Sequence, residues 1–155
     1  MIILGVIHLK GLPGSPSNKL NLEEITELAQ NDIDNLSKAG VNGIIVENFG
    51  DVPFVKNDVS KRTVASLTSV IQNLNIDSKL KLGVNVLRND GIAALSIAEA
   101  TNADFVRINV LNNVMMFTDQ GIIEGEANKI AEFNKSLNKD IEILNAGVQS
   151  YSTSI

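Results

Sequence analysis

A fold of parallel strands alternating with helices is predicted by three features of this sequence. Five short apolar runs read as strands, and four helical patterns lie between them. Two helix-to-strand junctions also echo each other, Ala39-Gly40-Val41-Asn42-Gly43-Ile44-Ile45 and Ala100-Thr101-Asn102-Ala103-Asp104-Phe105-Val106. Alternation of this kind favours right-handed crossovers between parallel strands, hence an α/β fold built of repeated βα units. The 155 residues, 44% hydrophobic and 20% charged, suit one globular domain with a real core, so residues 1–155 are read as a single domain.

The first strand is expected over Ile2 to Ile7, followed by a structured Gly/Pro/Ser loop, Gly11 to Ser17. The first helix opens on Asn21 and Glu24, the spacing of a capping box, and carries Ile25, Ala29, Ile33 and Leu36 on one face. Gly43 to Glu47 is the second strand. The second helix sets Val64, Leu67, Ile71 and Leu74 together, ahead of a third strand from Leu80 to Val86. Asp90 is read as the N-cap of a third helix with Ile92, Leu95 and Ala98 on its apolar face. The fourth strand spans Asp104 to Val110, and a long loop follows from Leu111 to Gly121. That loop, with its Met115-Met116-Phe117 cluster, is read as a lid or binding loop, or as packing against a neighbouring subunit. A fourth helix with Ala127, Ile130, Ala131 and Leu137 precedes a fifth strand from Ile141 to Ala146.

Two architectures fit this order. An open doubly wound sheet of five strands suits the length, whereas a complete (β/α)₈ barrel takes about 250 residues. Alternation within the strands points to the barrel. Val106, Ile108 and Val110 share one face of the fourth strand, while Phe105, Arg107 and Asn109 share the other; Leu82, Val84 and Val86 likewise oppose Gly83 and Asn85. In an open sheet both faces lie under helices, and the polar side chains would need partners there. A barrel interior instead reaches the solvated mouth at the carboxyl ends of the strands, and Glu47 and Arg107 would meet inside it as a hydrogen-bonded ion pair. Gly83 is expected to make room in that interior, and Glu142 to fall on the helix-facing side of the fifth strand.

Composition excludes several functions. The net charge of −5, one Tyr and no Trp provide neither the clustered cations nor the stacking rings that nucleic acids require. No apolar run approaches the ~20 residues of a transmembrane helix, and the start lacks the pattern of a signal peptide, so a cytoplasmic location is expected. Without Cys, disulfides, thiolate nucleophiles and Cys-type zinc sites are excluded.

The remaining polar residues at strand ends carry the candidate chemistry. His8, the only His, is an acid, base or metal ligand, or a His packed under the Gly-Pro loop. Glu47 is a general base, a metal ligand or the partner of Arg107. Asn48 and Asp51 are candidates for substrate hydroxyls or a hard cation, though an Asp beside a Gly also organises turns. Asn85 points into the mouth. His8, Glu47, Asp51 and Asp119 are the set on which a divalent cation such as Mg²⁺ would have to converge; no phosphate loop, zinc motif or Ser-His-Asp set accompanies them.

Five stretches in order are more specific: Gly5-Val6-Ile7-His8-Leu9 with Leu12-Pro13-Gly14-Ser15-Pro16; Gly43 to Phe54 (GIIVENFGDVPF); Leu82 to Asp90 (LGVNVLRND); Ala103 to Val110 (ADFVRINV); and Thr118 to Gly125 (TDQGIIEG). Together they resemble the BtpA/SgcQ family, from Ile2 to about Leu144. The resemblance implies a TIM barrel of the ribulose-phosphate-binding kind. It gathers His8, Glu47, Asn48, Asp51, Asn85, Arg88, Asn109, Asp119 and Glu124 around the mouth. The family takes its name partly from photosystem I biogenesis and partly from a member in a sugar-related operon. After the fifth strand the family's Asp and Lys are replaced here by Asn145-Ala146-Gly147-Val148-Gln149, and its last three barrel units have no counterpart. A truncated barrel of five βα units is therefore expected, with open edges covered by self-association. The favoured function is enzyme-like, on a small polar or sugar-like ligand: His8, Glu47 and Asp119 catalytic; Asn48, Asp51, Asn85, Arg88, Arg107, Asn109 and Glu124 ligand-binding. A non-catalytic photosystem I assembly factor and an inactive remnant are the alternatives.

Overall fold

The computed structural model describes residues 1–112 and 116–145, the side chains of Met116 and Phe117 excepted. Its elements are β1 (Leu4–His8), α1 (Leu22–Lys38), β2 (Gly43–Glu47), α2 (Lys61–Gln72), β3 (Lys81–Asn85), α3 (Gly91–Thr101), β4 (Phe105–Ile108), β5 (Met116–Thr118), β6 (Gly121–Ile123), α4 (Ala127–Ser136) and β7 (Glu142–Asn145). Five of the strands form one sheet in the order β1-β2-β3-β4-β7, every pair parallel, and β5 and β6 form a separate antiparallel hairpin.

This order decides between the two architectures. A doubly wound sheet reverses its strand order at a switch point, and here each strand is added beside the last. The helices pack α1 on α2, α2 on α3 and α3 on α4, as a row. All four contribute to one core cluster with Ile7, Ile44, Val46, Leu82, Val84, Val106 and Ile108, the helix-facing residues of the strands. Helices thus cover one face only, as in part of a β/α barrel. Each fully buried Ile, Leu or Val in this layer contributes about 1.5–3 kcal/mol of transfer free energy.

The caps read from the sequence are present. Asn21 Oδ1 accepts from the Glu24 N–H at 2.9 Å while Glu24 Oε2 accepts from the Asn21 N–H at 2.8 Å. Asp90 Oδ1 accepts from the Ala93 N–H at 2.9 Å, and its other oxygen accepts from the Val59 N–H at 2.9 Å, tying the β2–α2 loop to the start of α3. Gly83 also behaves as expected: an added Cβ would come within 2.2 Å of the Phe105 ring, which fills the space over it on the inner face.

Several expectations need correction. β1 starts two residues later and ends one residue later than expected, because its register with β2 runs from Leu4–Gly43 to the His8–Glu47 pair. α3 buries Ala93, Ala94, Leu95, Ile97 and Ala98, more than one face, since it lies between α2 and α4. The end of the long loop after β4 is a hairpin. Strands of three residues are too short to leave a periodic signal, and Asp119 and Gln120 form its turn. Glu142 pairs with Phe105, and partners in a ladder point the same way, so Glu142 lies on the inner face. The apolar layer under the helices is supplied by Ile141 and Ile143 instead. Met115 and Ala146 fall outside the described residues.

At the amino end of the sheet, Lys81 Nζ lies 2.7 Å from Asp104 Oδ1, and Asp104 Oδ2 accepts from the Leu82 N–H. Burial is the largest single influence on the Asp104 carboxyl and pushes it up. The Lys81 and Leu82 hydrogen bonds, with the charges of Lys81 and Lys139, together outweigh it and hold the group below the usual carboxylate range. Lys81 is raised, first by its hydrogen bond to Asp104 and then by that group's charge.

Candidate functional site

The carboxyl ends of the strands align three polar side chains in a row. The β1–β2 register sets His8 beside Glu47, and the β2–β3 register sets Glu47 beside Asn85. Each follows a helix-facing apolar residue, Ile7, Val46 and Val84, so the two-residue period of a strand turns all three to the inner face. Glu47 is 4% exposed and Asn85 1%, while the His8 side chain is 52% exposed. A buried carboxylate needs partners, and Glu47 has them on both oxygens. His8 Nε2 lies 2.9 Å from Oε1, and Asn85 Nδ2 donates to Oε2 at 2.9 Å.

These bonds revise the ion pair read from the sequence. Arg107 Nη1 stands 3.8 Å from Glu47 Oε2, an electrostatic contact longer than a hydrogen bond, because closer donors hold both carboxylate oxygens. Asn109 joins the same group: its Oδ1 accepts from Asn85 at 3.4 Å and its Nδ2 donates to the Arg88 carbonyl at 2.8 Å. Glu47, Phe49, Asn85, Arg88, Arg107 and Asn109 line a cavity of about 260 Å³.

Two loops brace this cup. The His8 ring stacks on Phe49 with centroids 4.2 Å apart and planes 16° from parallel, which fixes the imidazole plane. Phe49 meets Phe54 edge-on at 6.3 Å, and the Arg88 guanidinium lies over Phe54 at 4.6 Å. Arg88 also donates from Nε to Gln120 at 2.9 Å and contacts Asp119 at 3.3 Å, so the hairpin turn is fastened to the loop after β3.

Beneath them is a scaffold of backbone ties. Asn48, 1% exposed, accepts from the Leu87 N–H at 2.7 Å and donates to Asp51 at 3.1 Å, while Asp51 accepts from the Leu12 N–H at 2.7 Å. Gly50 lies against the neighbouring loop: an added Cβ would come within 2.4 Å of the Gly11 nitrogen. Asn48 and Asp51 therefore join the loops after β1, β2 and β3.

The sequence-predicted residues divide accordingly. His8, Glu47, Asn85, Arg107 and Asn109 come together, with Arg88 at the rim. Asp119 is on the hairpin turn, paired with Arg88, and Glu124 is exposed beyond β6. Among the described residues no group of three or more His, Asp or Glu is placed to hold a metal ion. The convergence of His8, Glu47, Asp51 and Asp119 on a cation is thus not observed, since Asp51 and Asp119 are occupied elsewhere. Phe49, Phe54 and Gln120 were missed as site residues. The available signal was two of the chain's five Phe residues within one exposed loop.

Chemically, a carboxylate oxygen accepts, so His8 presents the hydrogen of Nε2 to Glu47 and leaves Nδ1 free of it. Glu47 orients the ring through this bond, as the carboxylate of a Ser-His-Asp set orients its imidazole.

The sequence pattern of the BtpA family matches residues 1–153. The chain belongs to the BtpA family. Relatives in it include an uncharacterised protein of Thermococcus kodakarensis, 50% identical over 141 residues that make up 91% of this chain and 53% of the relative. An uncharacterised protein of Methanocaldococcus jannaschii is 43% identical over 91% of this chain and 53% of its own length. The photosystem I biogenesis protein BtpA of Synechocystis is 42% identical over 92% of this chain and 49% of its own length. The chain thus spans about half the length of the BtpA-family relatives it matches. No solved structure matches it. No helix among the described residues is long and apolar enough to cross a membrane.

Proposed function

We propose that the chain serves as a BtpA-type biogenesis factor whose working part is a small-ligand cup. The cup lies at the carboxyl ends of the strands of a TIM barrel of the ribulose-phosphate-binding kind. The name of the Synechocystis relative supports the first half of this reading. The row His8–Glu47–Asn85 carries the second half, because a buried, fully hydrogen-bonded carboxylate at a strand mouth is a preorganised binding surface. The relatives of Thermococcus kodakarensis and Methanocaldococcus jannaschii are uncharacterised, and ligand recognition is taken to be the property the family shares. Residues 1–155 are taken to belong to one β/α barrel domain in the cytoplasm, and copies to associate over the face that the helices leave bare.

A second reading is favoured by the 2.9 Å His8–Glu47 contact: catalysis on the bound ligand, with His8 as acid or base and Glu47 orienting it. Asp119 then acts through Arg88, and Asn48 and Asp51 hold the loops rather than the ligand. Thermal shift against sugars, nucleosides and phosphosugars, with and without Mg²⁺, tests the cup. A ligand that raises the melting temperature of the wild type and not of Glu47→Gln supports it; no shift with any of them overturns it. Turnover of that ligand, lost in His8→Ala, separates enzyme from binding factor.

A further inference from the structure

We infer that the ligand of this cup carries an anionic group, received by Arg107. The inference rests on the cup being a ligand site and adds the chemical class of what enters it. Both Glu47 oxygens are taken, Oε1 by His8 and Oε2 by Asn85, and Arg107 is left at 3.8 Å from the nearer of them. Among the described residues the guanidinium has no hydrogen-bond acceptor. It is one-third exposed and lines the cavity of about 260 Å³. A guanidinium has five N–H donors in a planar fork that matches a carboxylate or a phosphoryl group.

The surroundings reinforce this preference. Arg88 lines the same cavity, and the carboxylate facing its guanidinium, Asp119, is 69% exposed and screened by water. Among the described residues the cavity wall thus carries two guanidinium groups and one carboxylate, Glu47, whose oxygens are already bonded. Both side-chain hydrogen bonds of Asn85 among the described residues are made by its nitrogen, so its amide oxygen remains to accept a hydroxyl or amide hydrogen from the ligand. Phe49 provides an apolar wall on the same side. Together these features describe a small hydroxylated anion: the charged end on Arg107, a hydroxyl on Asn85.

Isothermal titration of the whole chain with D-gluconate, glucose 6-phosphate, inorganic phosphate and glucose tests this. The expected result is binding of the charged polyols, weakened by added salt, with glucose at least roughly tenfold weaker. Gluconate against glucose 6-phosphate tells which anion the fork prefers, and phosphate alone shows whether the hydroxyls contribute. Arg107→Gln should reduce affinity for the charged polyols roughly tenfold to hundredfold and leave the weak binding of glucose as it was, with Arg107→Lys recovering part of the loss. Since Arg107 has no hydrogen bond to lose, both variants are expected to fold, checked by their thermal melts; the Lys variant retains the test if the Gln variant does not. Equal binding of glucose and gluconate, or affinity unchanged in Arg107→Gln, overturns the inference while the cup stands as a ligand site. Binding of none of the four overturns the inference, and the cup itself then stands or falls on the thermal-shift screen.

Discussion

Asn48 shows what a single side chain does in this molecule. Its amide oxygen takes the Leu87 N–H and its nitrogen holds Asp51, which in turn takes the Leu12 N–H. Asn48→Ala would leave the buried Leu87 N–H without an acceptor, and a loss of about 1–3 kcal/mol is expected in urea unfolding. The role was only half legible: an Asn after a strand-ending Glu suggests a site, but side-chain-to-backbone bonds across loops 39 residues apart leave no local signature. The same holds for Arg107. Alternation along β4 put it on the inner face, yet the choice of His8 and Asn85 as Glu47's bonded partners depends on ångström-scale differences that no pattern encodes.

Among the elements, α3 and the β3–β4 pair yield the sharpest expectations. Asp90→Ala removes both the cap of α3 and the tie to Val59, so a loss of about 2–4 kcal/mol is expected in thermal or urea melts, and Asp90→Asn should restore part of it. The Lys81–Asp104 pair gives a pH dependence. Asp104 is depressed when folded, so its contribution is complete above the ordinary carboxylate range and is lost as pH falls through its lower folded value. Lys81 is raised when folded, so its contribution is complete below the ordinary lysine range and is lost as pH rises through the folded value. Asp104→Asn should flatten the acid limb of stability against pH, measured by urea midpoints; an unchanged limb would contradict the pairing. Helices with strong caps and one apolar face were readable from the sequence, as α1 shows. The β5–β6 hairpin was not, because its two strands have three residues each and are held by their turn and by Arg88 rather than by hydrophobic periodicity.

For the molecule as a whole, the one-sided row of helices follows from alternation of apolar and polar residues within strands, which was legible in Phe105 to Val110, whereas the strand order is seen only in the sheet itself. The phase of β7 was not, because Glu142 and Leu144 on one face and Ile143 and Asn145 on the other mix polarity on both sides. The face opposite the helices exposes Val6 at 37%, and Ile3 just before β1 is 48% exposed, so self-association is expected in light scattering coupled to size exclusion. A folded monomer at micromolar concentration would contradict that proposal. The account depends above all on polar side chains of neighbouring strands acting as one bonded unit on that face. A double-mutant cycle between Glu47→Ala and Asn85→Ala, measured by urea unfolding, tests this most directly. Coupling of about 1–2 kcal/mol is the expected result, and additivity within about 0.5 kcal/mol would contradict it.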